Sequence, residues 1–119
     1  MMFLNIRSLS KKLDKLELQI EGKNFDAILL CEHWLVEPAI LSCRLPDYNL
    51  TSHFCRTQSG GGGTLIYIKT NYSSKEIPVI NNLSIEKHCE VTAIEVTNPQ
   101  IIVACIYRSP SGQLDLLIL

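Results

Sequence analysis

No run of apolar residues in this sequence approaches the roughly 18 that a membrane-spanning helix requires, so no membrane is expected as a partner. A basic excess is missing too: the formal net charge of the 119 residues is −1. That excludes a nucleic-acid binder working by bulk charge and leaves a local basic patch open. The opening "MMFLNIRSLSKK" carries an apolar run too short for a secretory leader. No C-x-x-C pair occurs, and the five cysteines (Cys31, Cys43, Cys55, Cys89 and Cys105) are odd in number. A disulfide framework is therefore disfavoured. Free thiols and a nuclear or cytoplasmic location, not export, are the expectation. In such a compartment the sequons at Asn49, Asn71 and Asn82 are chance matches. There is no internal repeat, no Ser/His/Asp arrangement, and no aromatic–basic interleaving of the kind that stacks bases.

What remains is a globular composition, 46% apolar and 19% charged, with the length of one domain spanning residues 1–119. "FLNI" reads as the end of a short strand. "SLSKKLDKLELQIEG" reads as a helix, with Leu9, Leu13, Leu16 and Ile20 at helical spacing and Ser8 and Gly22 suited to its ends. "FDAILLCE" is a short continuous apolar run, the mark of a strand covered on both faces. "YNLTSHFCR" reads as a strand, "TQSGGGG" as a turn, and "TLIYIKT" as an alternating strand. "KEIPVI" is a weak strand in which Pro78 suggests an edge. "CEVTAIEV" and "QIIVACIYR" flank Asn98-Pro99 as a hairpin, and "QLDLLIL" reads as a helix beginning at the end of the sequence. Strand, helix and strand followed by hairpins make a mixed α/β layout of the α+β kind, not a doubly wound parallel sheet.

Glu32 is the residue that asks for an explanation. It follows the apolar run Ala27 to Cys31 and precedes Trp34 and Leu35. A carboxylate beyond the carboxyl end of a strand is placed to hold a hard cation such as Mg²⁺; the alternative is a solvated strand-end side chain. Asn5 ends the first predicted strand, where its amide could orient a carboxylate or phosphate, or cap the following helix. Tyr107 and Arg108 end the most apolar strand, where a phenol and a guanidinium could meet a phosphate oxygen, or be a core tyrosine and a surface arginine. "SGGGGT" lacks the G-K-[ST] of a phosphate loop and precedes a strand, so its glycines are assigned to a tight turn. Cys31, His33, His53 and Cys55 would bind Zn²⁺ only if their two strands were adjacent with the ligands facing; buried thiols beside loop histidines are the simpler reading.

Taken in order, "LNIRSLSKKLDKL", "FDAILLCEHWL", "LPDYNL", an arginine before "GGGGTLIYIK", "CEVTAIEV" and "IIVACIYRSP" resemble the endonuclease domain of non-LTR retrotransposons. That domain belongs to the endonuclease/exonuclease/phosphatase superfamily, with the apurinic endonucleases and DNase I. The resemblance covers nearly the whole chain. It implies a four-layer α/β/β/α sandwich, of which residues 1–119 would be the N-terminal half. It implies Mg²⁺ as cofactor and DNA as partner, with nicking of a phosphodiester to prime reverse transcription. Glu32 would hold the metal, Asn5 would support the metal and phosphate site, Tyr107 would contact the scissile phosphate, and Arg108 is a further candidate phosphate ligand. Arg7 stands where some relatives carry a second acidic ligand. The family's later motifs, an Asp-x-Asn that aims the attacking water and a terminal Asp-His pair, would follow Tyr107. Asp115 is not the start of such a motif, because Leu117 takes the third place. The expectation is a fragment inactive alone, requiring the missing C-terminal half. The alternatives are a non-catalytic remnant of a mobile-element-derived gene, or a phosphatase or deadenylase of the same superfamily, which "NIRSL" and "YRSP" disfavour.

Overall fold

The computed structural model describes residues 1–110 and Gly112. The chain is α+β, built on two sheets. The first has the order β1-β2-β4-β3, from β1 (Met2–Asn5), β2 (Ala27–Cys31), β3 (Tyr48–Phe54) and β4 (Thr64–Lys69). β1 runs parallel to β2, while β4 is antiparallel to both β2 and β3. The second sheet is antiparallel, in the order β5-β6-β7, from β5 (Ser74–Glu76), β6 (Cys89–Val96) and β7 (Ile101–Arg108). Helix α1 (Leu13–Ile20) covers the first sheet, and the short α2 (Pro78–Asn81) lies against β6.

The continuous apolar strand β2 separates two cores. Ile28 and Leu30 point toward α1, where they meet Leu9, Leu16, Ile20, Leu65 and Tyr67. Ala27 and Leu29 point the other way, with Ile66 and Ile68, onto Ile94, Val96 and Cys105 of the second sheet. A period of two thus feeds two apolar layers instead of one layer and solvent. The same holds for β4, whose five residues Thr64–Ile68 are all buried. The alternation expected there is real, but it runs between two cores.

Two boundaries differ from the sequence reading, each for a local reason. The helix begins at Leu13 and not near Ser8. The Ser8 and Leu9 N–H groups instead donate to the Glu32 and His33 carbonyls, extending the β1–β2 pairing beyond the strands. The strand expected over "KEIPVI" ends at Glu76, and Pro78 opens α2, where its missing N–H is no loss. The helix expected from Gln113 onward, and Asp115 with it, lie outside the described residues. No helix among those described is long and apolar enough to cross a membrane. All five cysteines are free thiols.

The layer between the sheets changes character along its length. On the inner face of β6 the order is Val96, Ile94, Thr92, Glu90; on β7 it is Ile101, Val103, Cys105, Tyr107. One end is hydrocarbon and the other carries hydroxyl and carboxylate groups. The polar end opens on the rim where β2 delivers Glu32.

Candidate metal and phosphate site

The register of β1 on β2 sets Asn5 opposite Cys31, one residue before Glu32. The Asn5 amide Nδ2 donates to Oε2 of Glu32 in a short hydrogen bond. Beyond the strand ends the chain keeps pairing irregularly: Glu32 N–H donates to the Gly63 carbonyl and Trp34 N–H to that of Gly62. Four non-glycine residues there hold positive φ, namely Arg7 (47°), Ser8 (84°), Glu32 (57°) and Trp34 (62°). Such conformations are uncommon for these residue types and concentrate at sites where geometry is imposed by function.

These segments and the end of β7 enclose an open cleft of about 550 Å³. Arg7, Glu32, Trp34 and Arg56 line it, together with Gly61, Gly62, Tyr107, Ser109 and Pro110. Burial first, and then the Glu32 charge, push the Tyr107 phenol above its ordinary value of 10, so at neutral pH it is a hydrogen-bond donor. Arg108 does not line this cleft: alternation along β7 turns it to the other face, where it is exposed. The structure therefore brings Asn5, Glu32 and Tyr107 to one rim and leaves Arg108 outside. A larger hollow of about 780 Å³ lies between the end of α1 and Pro46–Tyr48, lined by scattered surface charges such as Asp14, Glu17 and Lys69.

The sequence reading did not anticipate a buried ion pair behind the cleft. Arg56 Nε donates to Glu90 Oε2 at 2.6 Å, with the two side chains 9% and 0% exposed. Arg56 Nη1 also donates to the Gly60 carbonyl at 2.9 Å. Glu90 Oε1 accepts from Gly63 N–H at 2.7 Å, and Oε2 from Lys87 N–H at 2.9 Å. The signal available was Glu90 itself, a carboxylate in the same alternating register as Ile94 and Val96 of β6. Its partner, 34 residues away, was not readable.

The pair also explains the glycines. A Cβ on Gly62 would sit 2.1 Å from Arg56 Nε, and one on Gly63 would sit 2.3 Å from the His33 ring. Both residues hold positive φ, +60° and +89°. "GGGG" is thus the surface against which a guanidinium and an imidazole lie flat, and not a phosphate cradle.

His33 is fully buried. Its Nε2 donates to the Phe54 carbonyl at 2.8 Å, while Nδ1 accepts from Leu35 N–H at 2.9 Å, which fixes the neutral Nε2–H tautomer. With both nitrogens committed, His33 cannot join a site with Cys31, His53 and Cys55. A literal Asp-x-Asn does exist, at Asp47-Tyr48-Asn49, but Tyr48 pairs with Lys69 while Cys31 pairs with Thr64, so it starts β3 at the opposite rim from Glu32.

No protein-family model matches the chain, and no curated protein matches it.

Proposed function

We propose that this chain carries the first half of the metal and phosphate site of an endonuclease domain of the non-LTR retrotransposon type, and that residues 1–119 alone do not cut DNA. The observation that carries the reading is the convergence of Asn5, Glu32, Arg7 and Tyr107 on one rim of two packed sheets. All four come from three segments whose order along the chain matches the resemblance.

The residues fit Mg²⁺ in a limited way. Glu32 supplies a hard carboxylate oxygen at a strand end, and Asn5 orients it by holding Oε2. When bound, Mg²⁺ would polarise a phosphate oxygen. The chain's own groups suit the rest of a phosphodiester: the protonated Tyr107 hydroxyl donates to a phosphate oxygen, and Arg7 brings a cation to the cleft mouth. Among the described residues, Glu32 is the one carboxylate lining the cleft, and no imidazole lines it. No described lining group therefore remains to take the proton of an attacking water, a contribution typically worth about 10²- to 10⁴-fold. With Glu32 as the one charged ligand, Mg²⁺ would be held weakly.

The test is nicking of supercoiled plasmid with Mg²⁺. The 119-residue chain is compared with a version extended through the superfamily's Asp-x-Asn and Asp-His segments, each with a Glu32→Ala control. The expected result is background nicking by the short chain, nicking by the extended chain, and its loss in Glu32→Ala. Nicking by the short chain that Glu32→Ala abolishes would overturn the inactive-half reading. A folded extended chain that does not nick would overturn the endonuclease reading.

A further inference from the structure

A second group of ligand side chains lies away from the cleft. Glu37, His53 and Cys55 place a carboxylate oxygen, an imidazole nitrogen and a thiol sulfur within 4.8 Å of one another. His53 Nε2 and Glu37 Oε1 are 2.8 Å apart. We propose that these three residues form a binding site for a borderline-soft divalent cation of the Zn²⁺ class, with a fourth position open to water.

The chemistry of the donors selects the ion. A thiolate and an imidazole favour Zn²⁺ or Co²⁺ over Mg²⁺ or Ca²⁺, which take oxygen ligands. Nitrogen and oxygen ligands about 2.1 Å and sulfur about 2.3 Å from a tetrahedral Zn²⁺ stand roughly 3.5 Å apart, so closing on the ion requires side-chain shifts and no rebuilding. Charge balances as well: a thiolate and a carboxylate neutralise a dication, with His53 neutral. Burial first, and then the Glu37 charge, push the Cys55 thiol up to about 12, so the uncomplexed thiol keeps its proton. Binding releases that proton to solvent as the sulfur–metal bond forms.

The fold fixes the three ligands from two sides. His53 and Cys55 are two residues apart at the end of β3, and so share a face. The backbone between them is held by the bond from His33 to the Phe54 carbonyl. Glu37 arrives on the segment after Trp34, whose conformation is tied to the same His33 through Leu35 N–H. A cation here would clamp the segment that carries Trp34, a wall of the cleft, onto β3.

The test uses the full chain, reduced and metal-free, titrated with Co²⁺. The expected result is one equivalent bound, with a thiolate-to-cobalt charge-transfer band and the intense visible bands of four-coordination. Equimolar Zn²⁺ removes both, and excess Mg²⁺ removes neither. Cys55→Ser abolishes the charge-transfer band, while Cys89→Ser, at the other partly exposed thiol, leaves it unchanged. His53→Ala and Glu37→Gln weaken binding by more than the roughly 10- to 100-fold that outer-sphere changes cost. A missing band, or one that survives Cys55→Ser, overturns the proposal. Should Cys55→Ser fail to fold by circular dichroism, Glu37→Gln decides, since Glu37 is 63% exposed and its change spares the core; unchanged Co²⁺ affinity there overturns the assignment.

Discussion

Glu90 is an acid in a place where an unpaired acid cannot stay. It is fully buried, and it is tolerated because Arg56, Gly63 N–H and Lys87 N–H together satisfy both oxygens. Removing one partner of such a pair leaves the other charged and dry. Arg56→Met is therefore expected to lower stability by about 3–5 kcal/mol, a large share of a domain's usual margin. Urea unfolding reads it as a lower midpoint with unchanged slope; a midpoint within error of the parent would mean that Glu90 is hydrated. His33 gives a different signature. Burial lowers its pKa from the ordinary 6.5, so below that value the unfolded chain binds a proton that the folded chain refuses. The stability from neutral His33 is present above pH 6.5 and is lost as the pH falls from there toward the lowered folded value. The melting temperature should drop between about pH 7 and pH 5, and His33→Leu should flatten that part of the curve while lowering the whole of it. An equal slope in both proteins would assign the acid sensitivity elsewhere.

At the scale of elements, the turn before β4 and the start of α1 show how much of this fold the sequence alone could reveal. Periodicity is local, so β2, the β6–β7 hairpin and the apolar stripe of α1 were legible from apolar spacing. Glu32, Asn5 and Tyr107 were legible as candidates because each stands at a strand end. The start of α1 was not, since Ser8 and Leu9 are claimed by carbonyls of Glu32 and His33, more than twenty residues away. Nor were Arg56 and Glu90, whose meeting depends on how the two sheets face each other. The glycines sit between these cases: their number announced a turn, but the reason for each lies in its neighbours. Gly62→Ala and Gly63→Ala, which combine positive φ with contacts of 2.1 and 2.3 Å, should each destabilise by at least about 1–3 kcal/mol. Gly60, with nothing within 4 Å of a built Cβ, should accept Ala within about 0.5 kcal/mol. Equal losses at all three positions in chemical denaturation would refute the packing explanation.

For the molecule as a whole, the uneven feature is the second sheet. Its inner face packs on the first sheet, and α2 covers the outer face over β6, where Val91 and Ala93 are buried. β7 shares the inner packing through Cys105 and Val103, but among the described residues its outer face has no such cover. It is an edge strand in the order β5-β6-β7, and Ile102 and Ile106 on its outer face are 61% and 60% exposed. A free strand edge beside apolar side chains invites pairing with another chain, and β7 carries no proline and only one charge, the terminal Arg108, to blunt it. Self-association should therefore run through β7, and Ile102→Lys with Ile106→Lys should suppress it. Both side chains are largely in water already, so each change should alter the unfolding free energy by no more than about 0.5 kcal/mol. Sedimentation velocity across a concentration series separates the outcomes. A parent that associates and a double-lysine variant that stays monomeric at equal stability would fit the β7 assignment. Association that persists in the variant would move the adhesive surface elsewhere, with the exposed Val79 and Leu83 in and just after α2 the next residues to change.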